Sequence, residues 1–437
     1  MNEVVGRGSL ERALTKAEVR EICAEALAEL PVDGKKVLVL IPDHTRHAPI
    51  DLFFEILGGE LLGRVKALDY LVATGTHASM SMDRIYRHVG ITESEHRGRY
   101  AKVRLFNHEH QDLASLVSLG TVEGAELFRM TNGLFSEDVP VTINRKAIYY
   151  DQILIVSPVV PHEAMGFAGG NKYFFPGIAG LDLVEKFHWL AAVITNPVVN
   201  GVKDTPTRRV IDRAVELLPT PRLCFAFAVN AQHELACLFA GEPKAAWSRA
   251  ADYSAQLHIT YLDRPYKRIL GLTPPIYEEI WVAGKAMYKL EPVVADGGEL
   301  VIHGAHIRDI SFVHGAEIAR IGYHVRDYFT KQWDRFAHEP KLILAHSTNV
   351  KGIGEFADGV ERPRVTVTLA TSISRDTAER INLAYRAIGS IDIERWREDP
   401  DTLVVEEAGQ VLYRLRGNGN GRGEGDEVAA VATSAGV

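Results

Sequence analysis

His162-Glu163-Ala164-Met165-Gly166-Phe167-Ala168-Gly169-Gly170-Asn171-Lys172-Tyr173-Phe174-Phe175-Pro176-Gly177 comes just after an apolar run, Gln152 to Ser157, that reads as a buried strand. Three glycines within five residues let backbone approach a ligand closely. Lys172 comes next, and Pro176-Gly177 then forces a turn. The spacing is not that of a P-loop. His162 precedes the glycines and His188 follows the turn, an order that suits a lysine holding a cofactor between two histidines. Taken alone, a Gly-Gly pair beside a lysine is an ordinary surface turn, so the reading depends on what else the chain carries.

Three further polar clusters share the same placement. Asp43-His44-Thr45-Arg46 follows Val37 to Ile41, Gly75-Thr76-His77 follows Leu68 to Ala73, and Asn107-His108-Glu109-His110-Gln111-Asp112 follows Val103 to Phe106. In an open α/β sheet, ligands bind outside the carboxyl ends of the strands. Four clusters past four strand-like runs therefore favour a site over four separate turns. Single residues are less telling. His188 lies in a helix-like stretch, Glu185 to Trp189, and by itself reads as a helix-surface histidine. Tyr173, Phe174 and Phe175 read as packing or cleft wall. No spacing makes ligands of His44, His47, His303 or His306.

The 437 residues allow two or three domains and contain no apolar stretch of membrane length. Met1 to Arg12 is polar and no apolar h-region follows, so no signal peptide is predicted and a cytoplasmic location is expected. Net charge is −8, with acids and bases mixed along the chain, which argues against a nucleic-acid surface. Cys23, Cys224 and Cys237 form neither a CxxC motif nor a disulfide framework. They read as buried thiols, so any metal is held mainly by histidine or by sulfur from a cofactor.

Residues 1–15 are expected to be a loose arm. Val19, Ile22, Ala26 and Leu30 give Lys16 to Leu30 helical spacing. Strand-like and helix-like runs then alternate to residue 266, the pattern of βαβ units in a parallel sheet. A second α/β unit, 267–416, starts with a strand at Arg268 to Leu272. It continues with a helix at Tyr277 to Leu290 and strands at Glu299 to His303, Lys341 to Ala345 and Val365 to Leu369. A helix at Thr377 to Ile388 and a strand at Thr402 to Glu406 follow. Residues 417–437 read as a disordered tail, and no repeat recurs at a fixed period. The expected fold is α/β, with two Rossmann-like domains, mainly parallel sheets and an active-site cleft between them.

These motifs resemble the nickel-dependent lactate racemase family, over roughly residues 20 to 415. The matching pieces are Asp43-His44-Thr45-Arg46, Gly75-Thr76-His77, Asn107-His108-Glu109, and His162 through Gly177 with His188. The resemblance implies a nickel pincer nucleotide, a modified pyridinium mononucleotide binding nickel through one carbon and two sulfurs. It implies covalent attachment to Lys172, with His188 completing the nickel coordination. Carbon, sulfur and imidazole donors suit nickel(II). His108 and His162 match the two acid/base residues. Asp43, Thr76, His77, Gly169 and Gly170 match cofactor contacts, with Thr76 and His77 at the ribose-phosphate end. Arg46 and Lys285 match substrate contacts. Two positions depart from the family. Val282 stands where the family has a substrate-facing glutamine, which points away from lactate toward a longer or more polar 2-hydroxy acid. Asn171 stands where arginine is frequent. The implied partners are a small 2-hydroxy acid and the enzymes that make the cofactor, with no nucleic acid or membrane. The oligomeric state is left open, with a homo-oligomer compatible.

The implied chemistry is coherent. The α-proton of a 2-hydroxy acid is barely acidic, whereas hydride removal leaves a planar 2-keto acid that can be refilled from either face. Side chains offer no hydride acceptor, so a cofactor must. Two histidines suit proton transfer to the hydroxyl, and Arg46 offers a bidentate fork for the carboxylate. The expected activity is a 2-hydroxy acid racemase or epimerase. Alternatives are a zinc-dependent hydrolase, which lacks an HExxH-type arrangement here, and a non-catalytic protein that binds the nucleotide.

Overall fold

A computed structural model describes residues 3–75 and 77–416. The four apolar runs are strands Lys36–Ile41, Ala67–Val72, Leu105–Asn107 and Gln152–Pro158, packed side by side and parallel. They are continuous apolar runs because helices or loops cover both faces of a parallel sheet. Arg222–Val229 extends the parallel set beside Gln152–Pro158, and Leu235–Gly241 pairs antiparallel beyond it. Residues 1–15 are not simply a loose arm. Val5–Gly8 closes the seven-stranded sheet as an antiparallel edge strand on Leu235–Gly241, and Thr15 caps the helix Lys16–Ala28.

Strand order fixes where a ligand belongs. From Lys36–Ile41 the chain adds Ala67–Val72 and Leu105–Asn107 on one side, then crosses back to place Gln152–Pro158 on the other. The order reverses between Lys36–Ile41 and Gln152–Pro158, so a crevice opens at their carboxyl ends. Asp43 follows one of these strands and His162 the other.

A second sheet is wholly parallel, in the order Ala384–Tyr385, Thr366–Thr371, Val294–Gly304, Tyr266–Leu272, Thr402–Val405. Its order reverses between Tyr266–Leu272 and Thr402–Val405. Lys341 to Ala345, expected as a strand, instead opens the helix Lys341–Lys351, which is buried from Leu342 to Lys351. A helix buried on every side shows no polar face, so its apolar run imitates a strand. The helix expected from Tyr277 starts at Ile280 and breaks at Gly284 into Ile280–Ala283 and Lys285–Leu290. The helix expected over Thr377 to Ile388 is short, Arg375–Arg380, capped by Ser374 and ended before Asn382, whose φ is 63°.

The two sheets share one apolar core. Helix Leu181–Ile194 of the first unit packs on Lys341–Lys351 of the second. Trp189 stacks on Trp333 with ring centroids 5.4 Å apart, and the Asn196 and Asn200 amides donate to the Tyr288 carbonyl. The three cysteines are free and buried, and burial pushes their thiols up to about 12. Among the described residues, no helix is long and apolar enough to cross a membrane. Residues 417–437 lie outside the described residues.

Candidate active site

A cavity opens at the switch point of the first sheet and is closed by the second unit. Asp43, Arg46, Gly75, His77, His162, Glu163, Gly169, Lys172 and His188 line it from one side. Trp281, Lys285, Tyr288, Leu342, His346 and Asn349 line it from the other. Trp281, Lys285 and Tyr288 share a face by i, i+4, i+7 spacing, as do Leu342, His346 and Asn349.

The glycine-rich loop serves a purpose other than the one its composition suggests. Gly169 lies on the cavity wall and takes φ 88°, where a side chain is strained, and a Cβ there would sit 2.7 Å from Ser157 Oγ. Gly170 does not line the cavity. It packs against Trp247, whose Cβ would lie 2.8 Å from an added Cβ. The glycines thus let the loop seat against the protein rather than against a ligand. Arg208 braces the loop from behind, donating to the Gly169 and Phe167 carbonyls while stacking 4.1 Å from the Trp247 ring. Nothing in the sequence singled out Arg208. Asn171 turns away from the cavity and donates to Asp212 at 2.9 Å, so its departure from the family pattern does not touch the wall.

With the loop braced, Lys172 is held half-buried in the cavity wall. Burial, then the nearby Arg46 charge, lowers its amine to about 7, against a smaller opposing effect of Glu163. An appreciable neutral fraction at physiological pH makes it a competent nucleophile. Lys285 is buried, its Nζ has no hydrogen-bond partner in the protein, and burial pushes its pKa well down. An unpaired buried amine beside Arg46 and Lys172 forms a pocket for an anion.

Four histidines line this space, and the three on the first sheet's side have defined hydrogen-bond states. His188 Nδ1–H donates to the Val184 carbonyl one helical turn back, at 2.7 Å, which leaves the Nε2 lone pair for a metal. Burial keeps the ring neutral by lowering its pKa. The Ala164 amide donates to His162 Nδ1 at 3.1 Å, so the neutral His162 ring carries its proton on Nε2. The Glu163 carboxylate lies farther off, 3.4 Å from the same nitrogen. His77 is the converse, with Nδ1 2.5 Å from Asp43 Oδ2. Burial works against ionisation of Asp43, but attraction to His77 and bonds from His77 and Thr45 outweigh it and hold the carboxyl below its usual range. A carboxylate at Nδ1 fixes that proton and leaves Nε2 of His77 as a lone pair. The site therefore offers one imidazole that accepts a proton and one that donates.

His108 does not join them. Its Nε2–H donates to the Ala179 carbonyl at 3.0 Å, and its Nδ1 accepts from Asn144 at 3.2 Å. It is buried beneath the cavity wall, and burial lowers its pKa to about 4. Val282 is buried in the core and also absent from the wall. Thr76 lies outside the described residues. The sequence reading missed Glu163, Trp281, His346 and Asn349. His346 and Asn349 were hidden because their helix read as a strand.

The fold and site define a mixed α/β protein with a mainly parallel, switch-point cavity rich in lysine and histidine. Residues 1–199 match the lactate racemase N-terminal domain. It is 23% identical over 305 residues to a lactate racemase of Thermoanaerobacterium thermosaccharolyticum, a match covering 67% of this chain and 65% of that enzyme. A crystal structure of a Thermotoga maritima protein is 32% identical, with TM-score 0.85, over 92% of this chain and 99% of that one. The lactate racemase apoprotein of T. thermosaccharolyticum has the same fold, with TM-score 0.66 and 18% identity over 94% of each chain.

Proposed function

We propose that this protein is a racemase or epimerase of a 2-hydroxy acid, an isomerase that works with a nickel pincer nucleotide tethered to Lys172. The family likeness and the site support this reading, and one observation carries it: a half-buried lysine with a lowered pKa lines the same cavity as a histidine whose Nε2 is free for a metal. The residues fit such a group. Lys172 would form the covalent link, His188 Nε2 would complete the metal's ligands, and Gly169 and the neighbouring backbone would border it. When bound, the group supplies a hydride acceptor and donor that side chains cannot. Residues 16–266 then form the cofactor-binding unit and 267–416 the unit that closes over it.

The chain's own residues handle binding and protons. Arg46 holds the substrate carboxylate as an ion pair, and Lys285 Nζ, without a hydrogen-bond partner in the protein, donates to it. His77 Nε2, turned to the cavity by the Nδ1 contact with Asp43, takes the hydroxyl proton. His162 holds a proton on Nε2 and does the reverse on the other face. His77 replaces His108 in this role because His77 faces the cavity, whereas both nitrogens of His108 are occupied. A zinc hydrolase is less well supported. Among the described residues, no three metal-binding atoms from the cavity's histidines and carboxylates lie within 4.8 Å of one another.

The decisive experiment follows the hydrogen on the substrate's second carbon, using protein from a host that makes the cofactor. With that carbon deuterated, the label is expected to stay in the inverted product, and solvent deuterium is expected to stay out. Rapid exchange with solvent would mean proton abstraction and would overturn the cofactor reading.

A further inference from the structure

Outside the cavity, three chain segments bring metal-binding side chains together. His47 follows the strand Lys36–Ile41, His233 sits at the tip of the hairpin between Arg222–Val229 and Leu235–Gly241, and Glu407 follows Thr402–Val405. One ligand atom from each lies within 4.8 Å of the other two. His233 Nε2 is 3.5 Å from a Glu407 carboxylate oxygen. The two imidazoles stack, with centroids 3.7 Å apart and planes 8° from parallel. His47 Nε2 is shut off from solvent and has no hydrogen-bond partner.

That orphaned nitrogen is the telling feature. A buried polar atom without a partner costs roughly 1–3 kcal/mol, and proteins rarely leave one without a use. The adjacent group is a second imidazole and the next is a carboxylate. Two imidazoles and a carboxylate with room for water form a first-row divalent donor set, of the kind zinc takes with an open position. The supports are rigid. Asn230 accepts from the Gln232 and Glu234 amides across the hairpin tip, and the Ala408 amide, next to Glu407, is bonded to Leu272.

We propose that His47, His233 and Glu407 form a second divalent metal site, of zinc type, that clasps the first sheet to the second beside the cavity. The two histidines come from the seven-stranded sheet and the glutamate from the five-stranded one, so a bound ion bridges the two units. Binding tilts the stacked rings apart until both nitrogens converge on the ion, a movement that the exposed His233 can absorb. The ion holds Glu407 near His47, the residue after Arg46, and so steadies the cavity rim. This proposal does not depend on the racemase reading.

The test uses the full chain without cofactor, in a His188→Ala background so that the cavity's metal position is disabled. Zinc ion alone is titrated against a competing chromophoric chelator, and melting temperature is recorded with and without zinc. One equivalent should bind and raise the melting temperature, since an ion that binds only the folded state stabilises it. His233→Asn keeps a residue tolerant of the positive φ at that position, 63°, and Glu407→Gln keeps the side chain's shape. Each should weaken zinc by roughly tenfold or more and remove the thermal shift. Circular dichroism confirms that both variants remain folded, as expected for exposed positions. Zinc binding absent from the His188→Ala protein, or unchanged in both variants, overturns the proposal.

Discussion

Lys172 shows how a candidate site residue can oppose folding. Its amine sits near 7 when folded, against an ordinary 10.5. Between those values the unfolded chain binds more protons than the folded one, so this residue's contribution to stability rises as pH rises from about 7 to about 10.5. Lys172→Met should therefore stabilise the cofactor-free protein by roughly 1–4 kcal/mol at pH 7. The gain should fade by about pH 10, as read from urea unfolding at the two pH values. The same variant should retain no nickel nucleotide when produced in a host that makes it. The histidines separate by role in the same way. His77→Ala and His162→Ala should each lower turnover about a hundred- to ten-thousand-fold in both directions. His108→Gln should instead cost stability, about 1–3 kcal/mol for broken buried hydrogen bonds, and keep turnover within about tenfold. A collapse of turnover in folded His108→Gln would restore that residue to the mechanism. His108 was expected in the mechanism because Asn-His-Glu matches the pattern of the lactate racemase family. What separates it from His77 is the identity of each ring's hydrogen-bond partners, which come from Asp43, Asn144 and Ala179, all distant along the chain.

At the scale of elements, the parallel strands were legible because burial on both faces leaves uninterrupted apolar runs, as in Val37 to Ile41 and Gln152 to Ser157. The same rule misled at Lys341 to Ala345, where a helix buried all round has the composition of a strand. The break at Gly284 was likewise invisible. Within Ile280–Leu290 the i, i+4, i+7 face of Trp281, Lys285 and Tyr288 reaches the cavity, while Val282 does not. The inference that Val282 excludes lactate therefore loses its geometric basis. Substrate preference should respond to Trp281 instead. Trp281→Leu should change the ratio of kcat/KM between lactate and malate by tenfold or more, because one altered wall contact is worth about 1–3 kcal/mol. Val282→Gln should leave that ratio within about threefold and lower stability by burying an unpaired amide. A large change in selectivity from Val282→Gln alone would return that position to the site.

At the scale of the whole molecule, two sheets share one core through the packed helices Leu181–Ile194 and Lys341–Lys351. Units joined by an apolar interface should unfold together. Tryptophan fluorescence and far-ultraviolet circular dichroism should give superimposable urea transitions. Trp189→Ala should shift both by the same amount, about 3–5 kcal/mol, the usual cost of removing a buried tryptophan. Two separated transitions would show that the halves are independent. The mixed α/β character with mainly parallel sheets could be read from the alternation of runs, but the core the two sheets share could not, because it depends on aromatic and asparagine contacts between segments more than 85 residues apart in sequence, such as Asn200 with Tyr288.

The cavity wall runs from Pro42 to Asn349 along the chain. Lys172 is synthesised long before Lys285, Tyr288 and His346, which close the space around it. During translation the lysine stands in an unfinished crevice whose second wall is missing, so the burial that most depresses its proton affinity is incomplete. Its nucleophilic character is thus acquired late, as a property of the finished molecule. Any group tethered there would have to arrive after synthesis, delivered to a folded acceptor rather than to a nascent chain.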